Sequence, residues 1–153
     1  AWDHPLILSL DLEKVLAEQD IPVTITALSP DLDPDAERLR LRQEIEASFV
    51  GITSADLVVA HTATMVSKTR PGQPRSVSLV PAVHIGVVRL DQVVADLGEL
   101  YTCLQTDENQ LSEGLTQYMS FISAPSKTGD IELVMVNGAH GPRSVYLILI
   151  IES

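Results

Sequence analysis

The sequence predicts an α/β fold, a mostly parallel sheet with helices on both faces. Short β-branched runs such as "ADLVVA" (55–60) and "PAVHIGVVRL" (81–90) alternate with helical patterns, as parallel sheets with right-handed crossovers require. "SVYLILIIE" (144–152) is an unbroken aliphatic run, the pattern of a strand covered on both faces. The 153 residues are 45% hydrophobic and 20% charged, which suits one domain with a real core and excludes a disordered chain.

The elements follow in chain order. Leu12, Val15 and Leu16 stand at i, i+3 and i+4, a short amphipathic helix over 11–19. "IPVTITA" (21–27) is β-branched and predicts a strand. Early acids and later arginines predict a helix from about Asp35 to Ser48. "ADLVVA" reads as a buried strand, and "TATMVS" (62–67) continues extended. The Pro/Gly loop "KTRPGQPR" (68–75) then suggests a local antiparallel excursion. "PAVHIGVVRL" is a further strand. Leu90, Val93, Val94, Leu97, Leu100, Tyr101 and Leu104 fit a helical stripe, with Asp91 as N-cap and Gly98 costing about 1 kcal/mol relative to Ala. Leu111, Leu115, Tyr118 and Met119 predict a second helical stripe, and "MSFIS" (119–123) starts a strand.

The charge balance excludes some functions. Ten Lys/Arg against 21 Asp/Glu leave a net charge of −11, which repels nucleic acid and anionic membrane. No apolar run reaches the length of a membrane span. The opening "AWDHPLILSL" carries no basic n-region and reads as a chain joined partway through, so an N-terminal piece is expected to be missing. Cys103 is the only cysteine. One thiol holds neither a zinc finger nor an iron–sulfur cluster, and a cytoplasmic location is the default expectation.

The cations concentrate in loops. Lys68, Arg70 and Arg75 share one loop, and Lys127 and Arg143 lie in two later ones beside strands. In open α/β sheets ligands sit at the carboxyl ends of strands, where such loops converge. In "SAPSKTGDIE", Ser126 and Thr128 are placed to cap a following helical turn, with Asp130 and Glu132 near its positive end. The same stretch could hold a small anion on free N–H groups, although the two acids would compete with it. His61 ends a strand and is a candidate proton carrier. His84 faces opposite to Val83 and Ile85 and reads as structural. His140 lies in the turn "NGAHGPR" beside Arg143. The histidine and cysteine spacings match no dedicated metal site, and a GxSxG elbow is absent.

Four blocks in order, "GITSADLVVAHTATMVS", "RSVSLVPAVHIGVV", "SAPSKTGDIE" and "GAHGPRSVYLILI", resemble the LUD domain of lactate utilisation protein C and its relatives. The resemblance covers about residues 51–151 and implies a single LUD-type α/β domain over 1–153, short of its N-terminal portion. It implies a fold similar to ribose-phosphate isomerase, glucosamine-phosphate deaminase and CoA-transferases. It also implies an accessory role in oxidation of L-lactate to pyruvate, beside iron–sulfur partner subunits, with no cluster in this chain. On that reading a small anionic metabolite or cofactor of unknown identity meets Thr62, Thr64, Arg75, Ser123, Ser126, Lys127, Thr128, Gly141 and Arg143. His61, His140, Asp130 and Glu132 are the candidates for any proton transfer. His61 stands where the family commonly has Glu, which counts against carboxylate-based acyl transfer there. Lys127 stands where the family often has Arg; it keeps the charge and loses the bidentate fork. Two other readings remain open. One is a free-standing isomerase-like or acyl-transferase-like enzyme. The other is a protein-interaction subunit without a small ligand.

Overall fold

A computed structural model describes residues 1–31, 33–106, 111, 118–129, 135–137 and 140–151. The chain opens with short helices α1 (Pro5–Leu8) and α2 (Leu12–Ala17), then the longer α3 (Pro34–Ala47). Asp33 caps α3 by accepting from the N–H groups of Asp35 and Ala36, and Pro34 presets the first turn. "IPVTITA" forms no strand. It crosses the surface as extended coil, with Thr26 donating to the Gly72 carbonyl at 2.5 Å. β-branched composition favours a strand only where a neighbour completes the ladder.

Then come β1 (Val50–Thr53), β2 (Leu57–Val59), β3 (Thr64–Lys68), α4 (Ser76–Leu79), β4 (Val83–Arg89) and β5 (Val93–Val94). After them follow α5 (Leu97–Thr106), β6 (Met119–Ile122), β7 (Lys127–Gly129), β8 (Met135–Asn137) and β9 (Ser144–Ile150). The first sheet runs β1-β4-β9 and is parallel throughout. The second runs β5-β2-β3-β6, with β3 antiparallel to both β2 and β6. The antiparallel excursion expected around 55–75 is therefore the β2–β3 pair. The fold is α/β, with helices around a parallel sheet.

The two sheets face each other through Ala55, Val58, Met65 and Val88, flanked by Ile122 and Val145. Gly86 makes this approach feasible, because a Cβ there would collide with the Met65 sulfur. The far face of the second sheet buries Leu57, Val59, Val66 and Val94 against Leu100 of α5. Each such side chain contributes on the order of 1.5–3 kcal/mol on burial. Behind β1, Trp2 packs with Ile45 and Val77.

Three further expectations are corrected. The helix predicted from Leu90 begins only at Leu97, and Val93–Val94 pairs with Val58–Val59 instead. Two adjacent β-branched residues beside an open strand edge form ladder bonds more readily than a first helical turn. The helix start is written elsewhere. Asp96 accepts from Glu99 N–H at 3.0 Å and Glu99 accepts from Ala95 N–H at 2.6 Å, a reciprocal cap. Secondly, "SKTG" opens no helical turn, because Lys127–Gly129 pairs as a strand with Met135–Asn137. Thirdly, among the described residues β9 is not covered on both faces. It ends the sheet order, and Tyr146, Leu147, Ile148 and Leu149 are exposed. The helical stripe drawn through Leu111 and Leu115 lies largely outside the described residues, and its last member, Met119, belongs to β6.

Candidate functional site

The site begins at the tip of the β2–β3 hairpin. Leu57, Val58 and Val59 are buried, and the chain then makes one 3-10 turn over Ala60–Thr62. Ala63 reverses it in the left-handed region at φ 50°. That conformation costs a residue with a Cβ about 1–2 kcal/mol. The reversal brings Thr62 Oγ1 within 2.7 Å of Thr64 Oγ1. Thr64 Oγ1 in turn lies 2.8 Å from Ser123 Oγ, across the end of the β3–β6 ladder. Thr64 is only 4% exposed, while Thr62 and Ser123 face solvent. Three hydroxyls with two internal bonds leave one proton, and lone pairs at both ends, for an outside group.

Three residues beyond Ser123 is Ser126, within about 10 Å even if the chain is fully extended. Ser126 Oγ accepts from His140 N–H at 3.2 Å, and Ser126 N–H donates to the Pro142 carbonyl at 2.9 Å. Gly141 sits so close that a Cβ would stand 3.2 Å from Ser126 Cβ. Arg143 N–H donates to the Ala82 carbonyl at 2.8 Å. The 140–143 turn is thus held between the 123–126 turn and the entry to β4. Lys127 and Arg143 both flank this contact with exposed side chains. These turns gather at the amino ends of β4 and β9, not at the carboxyl ends that the general rule favours.

The structure therefore brings together Thr62, Thr64 and Ser123, and separately Ser126, His140 and Gly141, with Lys127 and Arg143 beside the second group. Arg75 is elsewhere. Its guanidinium lies 5.1 Å from the Tyr118 ring centroid, a cation–π contact at the opposite end of β6. The four residues of β6 separate Tyr118 from Ser123, five steps or roughly 17 Å along an extended strand. Thr128 lies in β7, whereas Asp130 and Glu132 lie outside the described residues. His61 is exposed, and its backbone N–H donates to Ala95 O at 3.1 Å. Of the loop cations, Arg70 is 2.5 Å from Asp56 Oδ1, and Asp56 Oδ2 also accepts from Lys68 N–H at 2.6 Å. That half-buried carboxylate fixes the loop.

A buried polar seam escaped the sequence reading. His84 is fully buried, and its Nε2 lies 2.8 Å from Thr53 Oγ1. Desolvation lowers its pKa from 6.5 to about 4, so it is neutral at physiological pH. His84 Nδ1 and Ser54 Oγ are buried and have no hydrogen-bond partner among the described residues. The alternation in "VHIGVV" gave the face of His84 but not its partner. Among the described residues no cluster of His, Cys, Asp and Glu could hold a metal ion, and no helix is long and apolar enough to cross a membrane.

Known proteins resemble this chain. Lactate utilization protein C of Halalkalibacterium halodurans is 34% identical over 149 residues, covering 97% of this chain and 60% of its own length. The protein of the same name from Exiguobacterium is 33% identical over 147 residues, covering 90% of this chain and 61% of its own length. The chain thus spans about three-fifths of these relatives. A crystal structure of a DUF162 family protein from Deinococcus radiodurans matches with a TM-score of 0.52 at 18% identity, over 93% of this chain and 83% of that one. At that identity the likeness speaks for the fold alone. The family model for the LUD domain matches residues 9–150, and the chain belongs to the LUD domain family.

Proposed function

We propose that this chain is the core of a lactate-utilisation protein and binds a small anion, a carboxylate metabolite or a phosphate-bearing cofactor, beside the 123–126 turn. One observation carries the reading: the Thr62–Thr64–Ser123 hydroxyl chain and the Ser126–His140 clasp flank a single turn. Hydroxyls orient an anion by donating to it, and Lys127 and Arg143 lie beside the clasp to neutralise its charge. Lys127 and Arg143 matter on a chain of net charge −11, because paired cations attract an anion that the acidic surface otherwise repels, and Asp130 and Glu132 of the same stretch would weaken that attraction. Arg75 is left out, since it stands at the far end of β6. The names of the relatives support lactate utilisation as the setting. Within the same proposal, the protein works in the cytoplasm with iron–sulfur subunits that carry the redox chemistry. His61 and His140 are exposed near the two groups and are the residues available to move a proton.

Calorimetry with L-lactate, pyruvate and inorganic phosphate tests the binding step. Saturable heat with one of them, lost in Lys127→Ala/Arg143→Ala and weakened in Thr64→Val, supports the reading. No heat from any of the three, or heat unchanged in both variants, refutes it.

A further inference from the structure

Helix α2 closes without a core of its own. None of its six residues is buried, although Leu12, Val15 and Leu16 share one side of it. Its end is abrupt. Asp20 N–H donates to the Ala17 carbonyl and Ile21 N–H to the Leu16 carbonyl, with Asp20 left-handed at φ 55°. That is a Schellman stop, on an Asp where Gly is usual. It sets Ile21, Pro22 and Val23 beside the helix, and the two runs border an open groove of about 420 Å³. Ala17, Ile21, Pro22 and Val23 give the groove its apolar lining, and Glu13 and Asp20 are its charged members. Ile21 is 50% exposed. The groove shares no residue with the anion site at the 123–126 turn.

Charge decides the occupant. Residues 11–23 carry Asp11, Glu13, Glu18 and Asp20 against Lys14 alone. All ten Lys and Arg of the chain lie among the described residues, and none of them lines the groove. The remaining stretches bring acids and no cation, so no segment of these 153 residues complements it. A second copy, at −11, is repelled from the same place, as are nucleic acid and anionic membrane. A cationic partner is attracted, and an apolar lining rewards a partner that also carries apolar side chains. We infer that this groove docks a basic amphipathic segment of another polypeptide. Its apolar residues seat on Ile21 and Pro22, and its Lys or Arg side chains face Glu13 and Asp20. Such a contact is steered by exposed charges, so it is sensitive to salt.

Calorimetry with a short synthetic helix of Leu and Lys, its leucines at i, i+3, i+4 and i+7, tests the groove. The wild type should bind it, and added salt should weaken the binding steeply. Affinity should fall about tenfold or more in Ile21→Ser, in Ala17→Lys and in Glu13→Gln/Asp20→Asn. Asp35→Asn/Glu46→Gln removes as much charge from α3 and should change it by less than about threefold. No binding by the wild type overturns the inference. An equal loss in the α3 variant, or equal binding of a peptide with Ser in place of Leu, also overturns it, because net charge alone would then attract the peptide. Self-association of the wild type that Ala17→Lys abolishes would give the groove to a second copy, with the same result. Should Ile21→Ser fail to fold, Ala17→Lys at an exposed helix position decides.

Discussion

Lowering the pH should destabilise the protein through His84, by an amount its burial sets. His84 is 0% exposed, and desolvation places its pKa at about 4 against 6.5 for the free side chain. As pH falls below 6.5, the unfolded chain takes up a proton that the folded chain refuses. Stability is therefore fully present above pH 6.5 and drains away down to about pH 4. Between pH ~7.5 and pH ~5 the two pKa values imply a loss of about 2 kcal/mol from this residue alone. Urea unfolding at both pH values measures it. Trp2, the only tryptophan, is buried against Ile45 and Val77 and reports the transition. The acidic residues also titrate, but they do so in the wild type and in His84→Gln alike. The quantity of interest is thus the difference between the two proteins, and His84→Gln should lose less stability over this interval. Equal losses, or an imidazole titration near 6.5 for His84 by NMR, would refute the reasoning.

Other consequences can be checked by thermal or chemical unfolding. Gly51→Ala should be strongly destabilising, by about 3 kcal/mol or more, because the new Cβ meets the Val77 backbone carbonyl, which cannot rotate aside. Gly98→Ala should gain less than the ~1 kcal/mol of helix propensity, because its Cβ would stand 3.1 Å from Asp96 Oδ1, the atom that caps Glu99 N–H, and must push that cap aside. Ala63→Gly should also stabilise, by up to about 1 kcal/mol, by relieving the left-handed φ of 50°. An unchanged melting temperature would show that the turn is relaxed as it stands. Asp96→Ala should lower helix stability by about 1 kcal/mol through loss of the cap on Glu99 N–H, visible as reduced ellipticity on heating.

Local rules did much from sequence. The helix at Pro34–Ala47, the strands at Leu57–Val59 and Val83–Arg89, and the antiparallel turn after β2 all follow from patterns of a few residues, because the forces that select them act over a few residues. The chemical character of the candidate site was legible for the same reason. Thr62, Thr64, Ser123, Ser126 and Gly141 stood out as small polar residues beside apolar runs. Tertiary structure decided which of them meet. Thr64 and Ser123 are 59 positions apart, and only the β3–β6 register sets them 2.8 Å from each other. The same register sets Tyr118, and so its contact with Arg75, at the far end. Pairing also overrode local preference. Val93–Val94 left a helical stripe for a strand because β2 offered an edge, and Lys127–Gly129 gave up a capping pattern because 135–137 lay alongside. The aliphatic run of β9 showed its wish for burial but not its place at the sheet's edge. Sequence records how much apolar surface a strand carries, whereas strand order alone decides whether the protein's own chain covers it.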